Sequence, residues 1–558
     1  MEMLQWMVTG LVILSLLVYF SIRSMWTAIS KPTFEKMPYI LLVVQTVLMV
    51  GSVLFLANGT FPIWYAVLAS AVSAFYLFMC GKIIKVTAEA SPYFVRQFTD
   101  MIKIFAVAAI ACFMIVGAKT CELLHNSWVV ALLFFAILFV GIKKEFDLTL
   151  VNGFKYDPVV YAVGNTYQIV FVTRAKGMAW VTIDGVEYSD THAGSRKTES
   201  RVHKVIVPME VLDKAKEYKL TTKAMILRGP YCAYQGKEFH KTYTWKGVRA
   251  EKELKYYVLS DTHVKIKAPT NAAGFFGDEL DFLIMAGDHI NWSDKDADLE
   301  LIVKLAAKVT KGQIPAVYAR GNHETKGSKS CDLYKYVGAD GENYYYTFRL
   351  GKLWGIVLDT GEDYREDFFE YYGTAKFDAY RDMENEFIDR VLANADTEFN
   401  APGVEYRIAI SHAPLTVQRK EEYIGPYLDR WVEALDEMKI TMMYAGHIHE
   451  LWYVDPAWEA GTELVHHEAY CGTIKRPTYY MAKTNVPTVG AGRRGVSQCL
   501  MDRETPWDKY CLGIAAVSNG ETTTIQFTNE KQEVIQNIMS PWFADVNYGD
   551  RIVVKNVK

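Results

Sequence analysis

Seven side chains in five short segments have the types and spacing to hold metal ions. They are Asp261 and His263 in Leu259-Ser-Asp-Thr-His263, Asp288 in Ala286-Gly-Asp288, Asn322 in Arg320-Gly-Asn-His-Glu324, His412 in Ile410-Ser-His412, and His447 and His449 in Ala445-Gly-His-Ile-His449. A mixed nitrogen and oxygen donor set of this size suits two divalent transition ions better than one. Each segment follows a short apolar run that reads as a buried strand, which gathers the ligands at the carboxyl ends of strands, where open α/β sheets place their sites. Taken singly, an Asp after a strand is usually a helix cap; taken jointly and in order, the set points to metal chemistry. His289 neighbours Asp288 but points away from it if the strand continues.

The elements that must position these ligands alternate along the chain. Apolar runs predict strands at 255–259, 281–285, 314–318, 354–358, 406–410 and 441–444, and apolar residues near the 3.6 period predict helices at 296–310, 377–393 and 427–438. A hairpin follows at 513–517 and 522–527 around Asn519-Gly520. Asp288, directly after a Gly at a strand end, reads as the carboxylate bridging two cations, since a bridge needs both oxygens free and a rigid base. Gly287, Gly321 and Gly446 read as the residues that let the backbone turn sharply before the ligands.

The order D-x-H, G-D, G-N-H-E, H, G-H-x-H resembles that of the calcineurin-like metallophosphoesterase superfamily, over roughly residues 250–545. The resemblance implies a four-layer α/β/β/α sandwich and a dinuclear centre. By the same resemblance Asp261, His263 and His449 join Asp288 around one metal, and Asn322, His412 and His447 join it around the other. Two such ions, about 3.5–4 Å apart, share a water, lower its pKa toward 7 and let the resulting bridging hydroxide attack phosphorus in line. His323 is implied as the catalytic imidazole that holds the phosphoryl group and protonates the leaving oxygen, with Asp288 as the other catalytic residue and Glu324 in support.

Two departures from the purple acid phosphatases concern the metals. Those enzymes have D-x-G in the first motif and a metal-binding Tyr three residues after the bridging Asp, whereas here the positions are His263 and Asn291. The expected ions are therefore Mn2+, Fe2+ or Zn2+, without a ferric-tyrosinate centre. Asp359, at the end of the 354–358 strand, reads equally as support for the metals or as a turn former. His466-His467 and the basic pair Arg493-Arg494 lie in a long segment, 456–509, where solvated side chains compete with substrate contacts as readings.

The first 145 residues have a different character. Apolar runs at 4–22, 39–57, 63–80, 104–118 and 128–142 approach the ~17–25 residues a helix needs to span a bilayer, although the last two also fit a re-entrant pair. Five transmembrane helices are expected, the first not a cleaved signal because Met1-Glu2 offers no basic start. Lys and Arg concentrate after the first, third and fifth runs, which by the positive-inside rule puts the later residues in the cytoplasm of a plasma-membrane protein. The five later cysteines, Cys232, Cys331, Cys471, Cys499 and Cys511, lack the even, close spacing of a disulfide framework.

Between 146 and 249 short alternating stretches, with Asp184-Gly185 as a hairpin signal, predict an all-β sandwich. It looks like the fibronectin-III-like domain that precedes the catalytic domain in purple-acid-phosphatase-like proteins. Trp180 is expected in its core and His203 on an exposed strand face. The expected organisation is thus a membrane region at 1–145, the sandwich at 146–249 and the catalytic domain at 250–558.

A formal net charge of −4 with no basic stripe argues against nucleic acid as a partner. The expected function is membrane-anchored hydrolysis of a phosphorylated small molecule or lipid-linked substrate. A phosphodiesterase or pyrophosphatase acting on a nucleotide or lipid-linked compound, and a non-catalytic membrane sensor of a phosphorylated ligand, stand as alternatives.

Overall fold

The computed structural model describes residues 62–90, most of 153–557 and isolated positions between 8 and 51. Positions 193, 229–232, 250–252, 364–365, 368, 372, 420–423, 450, 465–477, 493–512, 539–541 and 543–545 fall outside the described residues. The chain divides into two units, Met1–Asp147 and Leu148–Lys558.

In the first unit the third apolar run lies in the helix Ile63–Ala90, which buries Tyr65, Ala66 and Ala69 with Val8 and Leu48 and exposes Ile63, Trp64, Val67 and Leu68. The fourth and fifth runs lie outside the described residues, as do most of the first and second. Among the described residues no helix is long and apolar enough to cross a membrane.

The second unit is built on two sheets. Strands Leu254–Leu259, Phe282–Ala286 and Pro315–Ala319 run parallel and adjacent at the centre of a 12-stranded sheet. Their side chains alternate between two cores, as the strand period of 2 requires. Tyr256, Val258, Ile284 and Val317 face inward, whereas Tyr257, Leu259, Leu283 and Met285 pack with Leu299, Ile302 and Val303 of the helix Asp296–Thr310.

A six-stranded sheet holds Leu353–Val357, Tyr406–Ile410, Met442–Ala445 and Thr488–Gly490 in parallel. Val357, Ile408 and Tyr444 join the core shared with the first sheet. On the other face Ile356, Ala409 and Met443 pack with Ile388 of the helix Phe377–Ala393 and with Leu428 and Trp431 of the helix Gly425–Glu437. The hydroxyls of Tyr256 and Tyr444 meet at 2.7 Å between the sheets. The layers run helix, sheet, sheet, helix.

The separate sandwich expected over 146–249 is not what forms. Strand Val159–Val163 pairs in parallel with the central strand Pro315–Ala319, with Val160 opposite Pro315, and antiparallel with the 18-residue strand Thr166–Ile183. That long strand then pairs with Val186–Ser189, Ser200–Pro208 and Glu217–Arg228. The strands of this region therefore extend the 12-stranded sheet and share its core through Ile169, Phe171, Val181 and Val205. Alternation along a segment reports a strand but not its partner, and here the partner lies about 150 residues away.

Two side-chain expectations in this region are corrected. His203 is fully buried, stacked on Phe171 with ring centroids 5.6 Å apart and with Nδ1 3.2 Å from the Asp190 carboxylate. Trp180 is only half-buried and lies under the Lys197 ammonium, 4.2 Å from it. A polar ring is held in the core by its hydrogen bonds while a larger apolar one covers the surface.

Candidate metal centre

Parallel pairing within both sheets carries the five motif segments to one end of the fold. Asp261 and His263 follow Leu254–Leu259, Asp288 follows Phe282–Ala286, Asn322 and His323 follow Pro315–Ala319, His412 follows Tyr406–Ile410, and His447 and His449 follow Met442–Ala445. The donor atoms of Asp261, His263, Asp288 and His449 converge within 4.8 Å of one another, as do those of Asp288, His412 and His447. Asp288 belongs to both groups.

The backbone at these strand ends is unusual. Asp261, His263, Asp288, His447 and His449 all have positive φ, between 42° and 68°, a region that costs an L-residue energy and persists only where the surroundings enforce it. The ligands themselves therefore make the sharp turns that were expected of the glycines. Gly287 does share the role, with φ of 86°. Gly321 and Gly446 serve close approach instead: a Cβ on Gly446 would sit 1.8 Å from Ser260 Oγ, and one on Gly321 would sit 2.2 Å from Asp288 Oδ1.

Hydrogen bonds decide which atom of each imidazole faces inward. The imidazole Nδ1 atoms of His263, His323 and His412 lie 3.0, 2.8 and 2.7 Å from Asn291 Oδ1, the Asn291 carbonyl and the Ala286 carbonyl. A carbonyl oxygen only accepts, so each Nδ1 carries the proton and each Nε2 is the basic atom turned toward the carboxylates. His263 Nε2 and His449 Nε2 approach to 3.2 Å, and His449 Nε2 is 3.0 Å from Asp261 Oδ1. Asp261 Oδ2 is held from behind by the Ser260 hydroxyl and the His447 N–H, at 2.6 and 3.0 Å.

Asp288 differs from expectation in one respect. Its Oδ1 accepts the His323 N–H at 2.9 Å, so both oxygens are not free. The single atom Oδ2 lies 3.2 Å from His412 Nε2 and 3.9 Å from His263 Nε2, between the two ligand groups. Oδ1 is thus engaged in fixing the carboxylate's orientation, and Oδ2 is the oxygen that faces both groups.

Electrostatics favour positive charge here. Burial alone would raise Asp261 and Asp288, but the imidazoles of His449 and His412 hold Asp261 below its ordinary range, and those of His412 and His323 do the same for Asp288. Burial would lower His412; Asp288 and Asp261 instead push it up to about 10. His289, beside Asp288 in sequence, is lowered by burial to about 3 and lies with Nδ1 3.1 Å from the Thr262 hydroxyl, outside both converging groups. Two buried carboxylates need a compensating cation. Asn322 Oδ1, buried without a hydrogen bond, is an acceptor atom of the kind a divalent ion binds. The residues fit metal.

Residues 254–451 match the calcineurin-like phosphoesterase family. The chain carries a calcineurin-like phosphoesterase domain. It is a metal-dependent phosphoester hydrolase domain, and divalent ions are the family's cofactors. No curated protein matches the chain. Among solved structures the chain is similar to a purple acid phosphatase from yellow lupin (Lupinus luteus) seeds, at 13% identity over 68% of this chain and 74% of that one, with a TM-score of 0.42. It is also similar to PhoD, at 8% identity over 69% and 92% of the two chains with a TM-score of 0.39. A third likeness is to GAP50, the anchor in the inner membrane complex of Plasmodium, at 11% identity over 55% and 90% with a TM-score of 0.32.

Around the phosphoesterase centre the fold adds residues that motif reading missed. The loop after Leu353–Val357 brings Glu362 Oε2 within 3.0 Å of Asn322 Nδ2 and Asp363 Oδ2 within 2.8 Å of His447 Nε2. Their only sequence signal was their place just beyond Asp359 at a strand end. Asp359 itself pairs with Arg320 Nη2 at 2.8 Å and accepts from the Tyr380 hydroxyl and the Gly361 N–H. It therefore supports the loop that carries Asn322 and also forms a turn. His466, His467, Arg493 and Arg494 lie outside the described residues.

Proposed function

We propose that the phosphoesterase domain hydrolyses its ester at two divalent ions, one held by Asp261, His263, His449 and Asp288, the other by Asp288, Asn322, His412 and His447. The observation that carries this reading is the position of Asp288 Oδ2 between the two groups. Two ions in such a pair supply a nucleophile near neutral pH and neutralise charge on the phosphoryl oxygens. The chain's own residues supply the rest.

His323 is the side chain suited to the leaving group. Its Nδ1–H is tied to the Asn291 carbonyl, its Nε2 lies 3.8 Å from Asp288 Oδ2, and its side chain is 24% exposed, so the ring reaches both the centre and solvent. From there Nε2 holds a phosphoryl oxygen or gives a proton to the departing one. Asp288, turned by the His323 N–H, keeps the same oxygen in register with both metal positions.

The apolar runs at 4–22, 39–57, 104–118 and 128–142 support a multi-pass membrane anchor, and Lys143-Lys144 after the last of them support the cytoplasmic side for the catalytic unit. Several spans exceed what tethering needs, which favours a lipid-linked or membrane-delivered phosphate ester as substrate.

The test is turnover by the full chain in detergent, stripped of metal and resupplied with Mn2+, on 4-nitrophenyl phosphate and bis(4-nitrophenyl) phosphate. Metal-dependent hydrolysis that disappears in Asp288→Ala and His323→Ala is expected, and the ratio of the two substrates separates monoesterase from diesterase. Turnover that survives Asp288→Ala would overturn the two-ion reading.

A further inference from the structure

The loop 359–363 takes no part in the phosphoesterase motifs, yet it touches two ligands of the same proposed metal position. Glu362 is buried, and its Oε2 accepts from Asn322 Nδ2 at 3.0 Å and from the Tyr371 hydroxyl at 2.7 Å. Asp363, also buried, places Oδ2 2.8 Å from His447 Nε2. We propose that Glu362 and Asp363 are positioning residues that fix Asn322 and His447 as ligands and so set the affinity of that one metal position. The inference rests on the two-ion reading above.

An amide side chain has a donor end and an acceptor end and can be placed either way round. Glu362 decides between them, because a carboxylate only accepts and would repel the amide oxygen. With Nδ2 committed to Glu362, Asn322 Oδ1 is turned away from it, and that oxygen is buried without a hydrogen bond. A metal ligand is thereby selected from a residue that could equally present its useless end.

His447 follows the same logic. An ionised carboxylate facing Nε2 demands Nε2–H, so in the neutral ring the lone pair is on Nδ1, and the paired carboxylate raises the basicity of that nitrogen. The other metal position is oriented differently: His263 leans on Asn291 Oδ1, and Asp261 leans on Ser260 and the His447 backbone.

The loop is braced for this task. The buried guanidinium of Arg381, on the helix Phe377–Ala393, donates to the carbonyls of Thr360 and Glu362 at 3.0 and 2.7 Å. The Asp363 N–H donates to Glu362 Oε1 at 3.0 Å, and Lys326 Nζ stands 3.5 Å from Glu362 Oε2. Orientation is thus imposed from a helix behind the second sheet rather than from the motifs themselves.

The experiment is a Mn2+ titration of the full chain, counting bound ions per chain and recording the electron paramagnetic resonance spectrum, for wild type, Glu362→Ala, Glu362→Gln, Asp363→Asn and Asn322→Ala. Wild type is expected to bind two ions and give the spectrum of a coupled pair. Glu362→Ala and Asp363→Asn should weaken one ion by about 10–100-fold, matching Asn322→Ala, and leave an isolated-ion spectrum at Mn2+ levels that fill wild type. Glu362→Gln keeps an acceptor for Asn322 Nδ2 and should recover most of the loss. Equal weakening of both ions, or unchanged affinity in Glu362→Ala and Asp363→Asn, would overturn the proposal. A wild type that binds fewer than two ions would instead overturn the two-ion reading beneath it.

Discussion

The carboxylate of Glu324 accepts the backbone N–H of Asp288 at 2.9 Å, which ties the turn after one strand to the turn after the next. It also takes the N–H groups of His289 at 2.7 Å and Gly321 at 3.0 Å, so one buried side chain satisfies three donors at the crowded ends of two parallel strands. Burial and the charge of Asp288 push its carboxyl up to about 8. Glu324 is a clamp on backbone rather than a ligand.

Truncating the clamp, Glu324→Ala, leaves three buried N–H groups without an acceptor, at about 1–3 kcal/mol for each. Glu324→Gln keeps an acceptor oxygen and should lose less. The expected order of Tm in the metal-free full chain is wild type, then Gln, then Ala, by calorimetry. Equal Tm for Ala and wild type would remove the clamp from the account.

For His323→Ala the expectation is a fall in kcat of about 10²–10⁴, the usual worth of a positioned acid. The loss should be larger for an alkyl phosphate than for 4-nitrophenyl phosphate, whose leaving group needs little help. Bound metal should be unchanged, because the Nδ1 of this ring is held by the Asn291 carbonyl and its Nε2 lies outside the proposed ligand sets. Steady-state kinetics beside metal analysis checks both halves.

Gly446→Ala forces a methyl group to within 1.8 Å of Ser260 Oγ and 2.5 Å of Asp261 Oδ2. Neither neighbour can yield without disturbing the hydrogen bond that orients Asp261. A destabilisation of about 1–3 kcal/mol is expected, together with weaker metal binding, read by denaturant unfolding and ion counting. Binding at wild-type strength would show that the strand ends are softer than their packing indicates.

Burial, with the adjacent charge of Asp359, holds the Glu384 carboxyl well above its ordinary value of 4.5. The folded chain thus keeps a proton that the unfolded chain releases once pH passes 4.5. The stabilisation is full below that pH and is lost as pH rises toward the folded value, by up to about 1.4 kcal/mol per pH unit. Glu384→Gln, which retains an acceptor for the Asp359 N–H, should therefore gain on wild type as pH rises from 5 to 8. A Tm difference that does not change with pH would count against this.

Much of the catalytic half could be read from the chain alone. The helices 296–310 and 377–393 form as the 3.6 period predicts, and the strands lie within a residue or so of their apolar runs, as at Tyr406–Ile410. Asp184-Gly185 makes its turn with φ of 47° and 81°. These are local signals, carried by residues a few positions apart. The identity and order of the candidate metal ligands are local in the same sense, because each sits two to four residues past its strand.

Pairing across distance was not legible. Val159–Val163 joins the sheet beside Pro315–Ala319, Glu362 reaches Asn322 across 40 residues, and Asp363 reaches His447 across 84. His203 looked exposed because alternation gives two faces without saying which will be covered, and Phe171 and Asp190 covered it. The chain's own letters determine the elements and the chemistry of the ligands, since both follow from side-chain type and short-range period. Only tertiary structure decides which oxygen of Asp288 lies between the two ligand groups and which carboxylates stand behind Asn322 and His447, because those choices depend on atoms brought together by the closing of two sheets.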